Sequence, residues 1–449
     1  MTPPRHLLNA DFPQPFPQAF RGAGIHLYDQ AGRAHIDGCS GALVANIGHG
    51  QAAIARAMAA QAAELSYVYR YHFSSPAAES LAARYCALTA APMGAAYFTN
   101  SGSEAVEAAV KLARVRHLAA GEPGRFKVIS RHQSYHGVTL GALSWSGMPS
   151  RQEDYRPYLS GGCHIAPAYC YRCWFARRPE TCALECAQAL EAAVIAEGPA
   201  TVAAFIAEPV VGAALGAAAP PAEYFAAVRR ICDRHGVLFI AEEVMTGAGR
   251  TGGRFFASDH FPGPPDIIVF GKGVGGGYYP LAGALVSTAV ADTIGAGRGG
   301  FAAGQSYSGH PVGMAAGGAV LDFFQEHDLL ARAAETGARL GRRLEALRAH
   351  PTVGDVRGRG MMWGLEFVAD QARRTPIDPR LQYHRRVYAQ ARANGLLLLP
   401  SGGCDHGRAG DLALVAPPLV ISETEVDTLV GILDETLTQV ERECPADCG

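Results

Sequence analysis

The sequence predicts an α/β fold: a mostly parallel central sheet with helices on both faces, joined to a smaller α+β domain. Three observations predict it. Short, fully apolar runs at 203–207, 237–241 and 267–270 have the composition of strands buried on both faces. Segments of helical character alternate with such runs, which is the pattern of a parallel sheet. Beyond residue 352 the texture changes to glycine-punctuated strands followed by one amphipathic helix.

Composition narrows the function classes. At 449 residues the chain is long enough for two or three domains, or for one large domain with an appendage. Its 39 Lys and Arg against 41 Asp and Glu leave the charge nearly balanced, so a nucleic-acid or membrane surface has no electrostatic support. No apolar run is long enough to span a bilayer. The first residues carry prolines at positions 3, 4, 13, 15 and 17 and no apolar core segment, unlike a secretory leader, so the expected compartment is cytoplasmic.

Taken in order, residues 1 to about 20 read as an extended arm. Residues 25–32 and 34–37 form a hairpin pattern, and 52–65 and 76–88 are helical in character. A short strand at 96–99 runs into Asn100-Ser101-Gly102-Ser103-Glu104-Ala105. Ser101 and Glu104 have capping-box spacing ahead of an apolar helical face. Small residues at such a turn let backbone N–H groups approach an anion at the positive end of a helix. The turn is a phosphate cradle or an ordinary N-cap. After a strand at 127–130 comes Ser134-Tyr135-His136-Gly137, where Tyr135 stacks on a flat heterocycle or packs in its loop.

Eleven cysteines is a high count. Seven are scattered, at 39, 86, 163, 232, 404, 444 and 448, while Cys170, Cys173, Cys182 and Cys186 cluster in an insertion at about 163–186. Two close pairs in one loop have the outline of a zinc site. The spacing is loose, so the expectation is reduced, partly buried thiols, with metal or a disulfide as the lesser alternative.

The three buried runs end in Glu208, Glu242 and Lys272. If the strands are parallel, all three project from one sheet edge, where ligands of open α/β sheets bind. Acids beside an amine in a water-poor crevice tune that amine for nucleophilic work. A polar turn at 306–311 precedes a long helical stretch from 315 to about 350; strands at 358–367 and 395–399 and a helix marked by Val426 to Val440 complete the chain. The expected organisation is an N-terminal arm with part of the small domain at 1–65, a large domain at 66–320 and a C-terminal small domain at 321–449.

Six motifs stand in one order: residues 100–105; Tyr135-His136-Gly137; Ala207-Glu208-Pro209-Val210; Glu243-Val244-Met245-Thr246-Gly247 with Gly249-Arg250-Thr251-Gly252; Gly271-Lys272; and Tyr307-Ser308-Gly309-His310-Pro311. With them the chain resembles the class III aminotransferases, the ω-transaminase-like group of fold type I pyridoxal-phosphate enzymes, from about residue 22 to 435. The resemblance implies pyridoxal 5'-phosphate as cofactor in the large domain, held by Lys272 as a Schiff base. It also implies phosphate binding by Gly102 and Ser103, Tyr135 on one ring face, Val244 on the other, and Glu208 close by. Ser306, where the family usually has Thr, would reach the phosphate of a neighbouring subunit, which implies a homodimer with shared active sites. The implied reaction moves an amino group from an ω-amino acid or primary amine to a 2-oxo acid such as pyruvate.

Two departures stand out. Glu242 takes the place of the family's usual Asp, which pairs with the pyridinium nitrogen. Charge is retained, the side chain is one methylene longer, and activity is expected to survive at a reduced level. Leu414 occupies the slot of an Arg that binds the substrate carboxylate in some members, which leaves Arg408 as the candidate, or else a solvated loop arginine. Leu43 and Tyr69 are the other candidate pocket residues. Fold alone does not choose between transamination and decarboxylation, phospho-lyase elimination or aminomutase chemistry. Glu242 also motivates a degenerate, non-catalytic binding protein.

Overall fold

The computed structural model describes residues 17–443. The first sixteen residues, with most of the predicted arm, and Cys444 and Cys448 lie outside them. The end of that arm is not free: β1 (Ala19–Ala23) pairs antiparallel with β2 (His26–Asp29), which pairs with β3 (Ala34–Asp37).

The central sheet has seven strands: β4 (Met93–Thr99), β5 (Lys127–Arg131), β6 (Cys163–Ile165), β7 (Val202–Ala207), β8 (Leu238–Glu242), β9 (Ile267–Phe270) and β10 (Ala282–Ser287). Their spatial order is β4-β10-β9-β8-β7-β5-β6. Only β10 runs against its neighbours; the pairs from β9 through to β6 are parallel. Alternation along the strands explains the unbroken apolar runs. In β7, Ala204 and Ile206 face a cluster with the Gly102–Ala119 helix, while Phe205 and Ala207 face one with the Glu185–Glu197 and Tyr224–His235 helices. In β8, Leu238 and Ile240 turn to the first cluster and Phe239 and Ala241 to the second. The sheet is thus covered on both faces, as predicted.

A second sheet is built from β11 (Val353–Arg359), β12 (Met362–Asp370), β13 (Thr375–Pro376), β15 (Leu399–Asp405) and β16 (Ala409–Val415), while β14 (Leu396–Leu397) joins the β1–β3 sheet by pairing parallel with β3. Three sequence expectations need correction here. The stretch 315–350 is two helices, Pro311–Glu326 and Leu329–Glu345, because Asp328 adopts a left-handed conformation (φ 46°) between them. The stretch 358–367 is the turn and return of a β11–β12 hairpin, reversed at Gly360 (φ 57°). Residues 395–399 divide between two strands that serve different sheets. Among the described residues, no helix is long and apolar enough to cross a membrane.

Candidate active site

Lys272 follows β9 and opens a single 3-10 turn, Lys272–Gly275, with its backbone in the left-handed region (φ 50°). That conformation costs a non-glycine residue about 1–3 kcal/mol and persists only where its surroundings over-determine it. Here they do. A Cβ on Gly273 would lie 2.2 Å from Asn46 Nδ2, and one on Gly271 would lie 3.2 Å from Val244 Cγ1. Backbone packs tightly on both sides of the lysine. Burial pulls its amine down to about 8, opposed by the Glu242 and Glu208 charges. The neutral, nucleophilic form is therefore accessible near neutral pH.

The two acids reach the same edge because β7, β8 and β9 are parallel neighbours. Both Glu242 oxygens are occupied: Oε1 accepts from Val244 N–H at 2.9 Å, and Oε2 lies 3.2 Å from His136 Nδ1. Glu208 Oε1 accepts from Tyr135 N–H at 3.3 Å, and its Oε2 stands 3.7 Å from Arg131 Nη2. Burial pushes Glu208 up to about 7, with the His136 charge opposing and that of Glu242 adding. Glu243 turns the other way and accepts from Ser258 N–H at 2.9 Å, so of the adjacent acids only Glu242 faces Lys272. His136 and Arg131 were given no role from sequence. Both are buried, and the signal available was the charged Arg131 at the end of an apolar strand, where buried charge needs partners.

The capped turn has the predicted form. Ser101 Oγ accepts from Glu104 N–H at 3.3 Å, and Glu104 Oε2 reaches back to Asn100 N–H at 2.9 Å. Gly102 and Ser103 are the first two helical residues, whose N–H groups have no intrahelical partner. A Cβ on Gly102 would come within 2.8 Å of Val244 Cγ1, and one on Gly137 within 2.5 Å of Ser103 Oγ. The helix start, the 134–138 loop and Val244 therefore converge with room for backbone only. Ser103 Oγ accepts from Val138 N–H at 3.0 Å, while the buried His136 Nε2 has no protein partner among the described residues.

The candidate substrate residues divide. Leu43 is buried in a left-handed conformation (φ 60°), in an apolar cluster with Met148, Leu414 and Tyr135. Tyr69 and Ser306 stand on exposed segments: Tyr69 packs on Tyr71 and His72, and the Ser306 carbonyl accepts from Tyr67 OH at 3.0 Å. Arg408 is exposed on the β15–β16 loop, at the rim of a cleft of about 780 Å³.

The cysteine insertion was expected to carry reduced thiols, with metal or a disulfide as the lesser alternative. All nine described cysteines are free, and among the described residues no group of three or more His, Cys, Asp or Glu is placed to hold a metal. Cys170 is exposed, Cys186 is buried in the first turn of its helix, and Cys182 Sγ accepts from Leu184 N–H. The insertion acts as a strap. Trp174 stacks on His132 at 5.1 Å and lies 4.8 Å from His406, and Arg172 Nε donates to Glu366 Oε1 at 2.6 Å.

Comparison with known proteins decides the family. The class III aminotransferase family model matches residues 11–437. The chain is 37% identical to YodT of Bacillus subtilis, an uncharacterized aminotransferase, over 98% of this chain and 99% of that one. It is also 37% identical to a diaminobutyrate–2-oxoglutarate transaminase of Halomonas elongata, covering 93% and 89%. Among solved structures, the ω-transaminase of Pseudomonas jessenii in complex with PMP superposes with a TM-score of 0.89 at 32% identity, covering 96% and 94%. The chain belongs to the class III aminotransferases.

Class III aminotransferases use pyridoxal 5'-phosphate, and the residues of this one fit that group. Its Lys272 amine, lowered towards neutrality, would suit the aldehyde, the N–H groups of Gly102 and Ser103 at the helix start would suit the phosphate, and the Glu242 carboxylate would suit a ring nitrogen. The narrow gap at Gly102, Gly137 and Val244 excludes side chains from the cradle.

Proposed function

We propose that this aminotransferase takes nitrogen from an ω-amino acid or primary amine and delivers it to a 2-oxo acid such as pyruvate. The supporting observation is the convergence on one sheet edge of Lys272, Glu242 and the Gly102 turn. When bound, the cofactor supplies an electron sink for the bond-breaking at the substrate carbon. In this reading Lys272 Nζ would hold the cofactor and would take and return the proton at the substrate carbon, its lowered basicity letting it both accept and release. Gly102 and Ser103 donate backbone N–H groups to the phosphate. Tyr135 and Val244 bound the ring, and Leu43 closes the apolar side of the substrate space. Glu242, fixed by Val244 N–H and His136, keeps a negative charge toward the ring nitrogen, and Glu208 stands behind Tyr135.

The chain acts as a homodimer, in which Ser306 and Tyr69 complete the neighbouring site. Exposed Tyr67, Tyr69, Tyr71, Phe73 and Tyr307 supply a surface of the right character. Nine free thiols among the described residues suit a reducing cytoplasm. A donor panel with pyruvate and 2-oxoglutarate as acceptors tests the reaction. The expected result is loss of the visible absorbance of the Lys272-bound cofactor on adding an amine and its return on adding a 2-oxo acid. Cofactor uptake with no such cycle on any donor would overturn it.

A further inference from the structure

Three strained stretches of backbone converge behind the lysine. Ser40 (φ 50°), Ala248 (φ 51°) and Lys272 (φ 50°) are all non-glycine and all left-handed. Such backbone persists only where its surroundings over-determine it, and it gathers at functional sites. What the three share is one pair of buried side chains, Asn46 and Arg250.

Asn46 is fitted to the lysine's turn. A Cβ on Gly273 would collide with the Asn46 amide, lying 2.6 Å from its Cγ, so the amide fills the space a side chain at 273 would need. The amide is itself fixed. Nδ2 donates to Ala248 O at 2.8 Å, Oδ1 accepts from Arg250 Nη2, and the Asn46 main-chain carbonyl accepts from Leu419 N–H at 2.8 Å. Exchanging the amide's oxygen and nitrogen would set acceptor against acceptor at Ala248 and donor against donor at Arg250.

Arg250 holds the amide in turn. Nη2 also donates to Ser40 Oγ at 3.1 Å, and Nη1 donates to Pro417 O at 2.5 Å and Met361 O at 3.3 Å. All four acceptors are neutral. Burial pulls the guanidinium down to about 9, opposed by the Asp37 charge. A buried charge held by neutral groups is costly, and apolar packing could join the same segments. The bland alternative is a pin between the 40–46 loop and the 416–419 segment. Ser40 Oγ already serves that purpose, donating to Ala416 O at 2.8 Å. A pin also leaves unexplained why the amide presses on the residue next to Lys272.

We propose that Asn46 and Arg250 are positioning residues for Lys272: the guanidinium orients the amide, and the amide keeps the lysine's turn in the left-handed form that holds the amine at the sheet edge. This rests on the reading of Lys272 as the amine that holds the cofactor. A residue acting through the lysine's backbone changes how fast the amine reacts and leaves donor recognition alone.

The chain has three lysines, Lys111, Lys127 and Lys272, so the point of attachment is simple to read. Borohydride reduction of the holoenzyme and peptide mass mapping should find the cofactor on Lys272. A label on another lysine would overturn that reading and the proposal with it. The proposal has its own test in attachment. When pyridoxal 5'-phosphate is mixed with cofactor-free protein, the visible absorbance of the Lys272-bound form should rise about tenfold more slowly in Asn46→Ala. Arg250→Lys, which keeps the charge and loses the fork, should do the same. In the loaded variants kcat should fall about 10- to 100-fold with donor KM within threefold. Gly273→Ala should be as harmful in the parent and much less so on top of Asn46→Ala, since the colliding amide is gone. Circular dichroism checks folding, and Asn46→Ala decides alone if Arg250→Lys is unfolded. Parental attachment and kcat in Asn46→Ala, with only a lower melting temperature, would make the pair a pin and overturn the proposal while the cofactor stays on Lys272. Fully additive losses in the double variant would overturn it too.

Discussion

Two regions of the molecule are built on opposite plans. The floor, at the ends of β5, β7, β8 and β9, is enclosed, and its charges face one another: Glu242 with His136, Glu208 with Arg131. The mouth, between the 148–152 turn and the β15–β16 loop, is open, and its backbone is braced while its arginines reach no acid among the described residues. On the proposed reading, the chemistry depends on groups that cannot be changed without disturbing buried partners, and recognition would fall to side chains that can be exchanged without disturbing the fold.

The sharpest way to break that contrast is at the floor. Lys272→Ala should lower turnover by about 10³-fold or more while the fold, read by circular dichroism, survives. Retention of activity within tenfold would move the chemistry elsewhere. Glu242→Gln should cost about 10²-fold, the scale of losing one fixed electrostatic partner, and Glu242→Asp should change kcat less than tenfold in either direction. Equal rates for Glu242→Asp and the parent would make the extra methylene immaterial.

At the mouth, Trp174→Ala loosens the strap over His132 and His406. It should raise donor KM by about three- to tenfold with kcat within twofold. A matching fall in kcat would mean that mouth and floor are one unit.

Acidity separates the regions next. Burial pushes Glu208 and Glu243 up to about 7 from an ordinary 4.5. The folded chain therefore holds protons in that window that the unfolded chain releases. Their contribution to stability is fully present below about 4.5 and is lost as pH rises through 7. The melting temperature of cofactor-free protein should decline from pH 5.5 to pH 8, and less steeply in Glu243→Gln; an unchanged slope would count against a proton on Glu243. Smallest of all, Cys170→Ser is expected to shift stability by no more than about 0.5 kcal/mol, as for an exposed site. A drop well beyond that, or zinc in the purified protein, would restore the metal reading.

Of the floor, all but His136 and Arg131 was legible in the sequence, while of the mouth only Arg408 was named, for a physical reason. Buried strands announce themselves by uninterrupted apolar runs, and Glu208, Glu242 and Lys272 at their ends needed only a parallel sheet to come together. Ser101 and Glu104 carried their turn in local spacing. The mouth joins residues remote in sequence, Arg151, His384 and Arg408, through tertiary packing that leaves no periodic trace. The hairpin at Gly360 and the break at Asp328 escaped because each turns on the left-handed backbone of a single residue, with helix or strand continuing on both sides.

The pairing of β3 with β14 has a consequence for biogenesis. Ile36 waits for Leu396, so an early hairpin presents an unpaired edge until nearly the whole chain has left the ribosome. Over that interval the nascent N-terminal segment is a template for strands of other chains, and premature termination before residue 396 would leave it so permanently. Quality control of this protein therefore begins at its oldest residues and is released by some of its youngest.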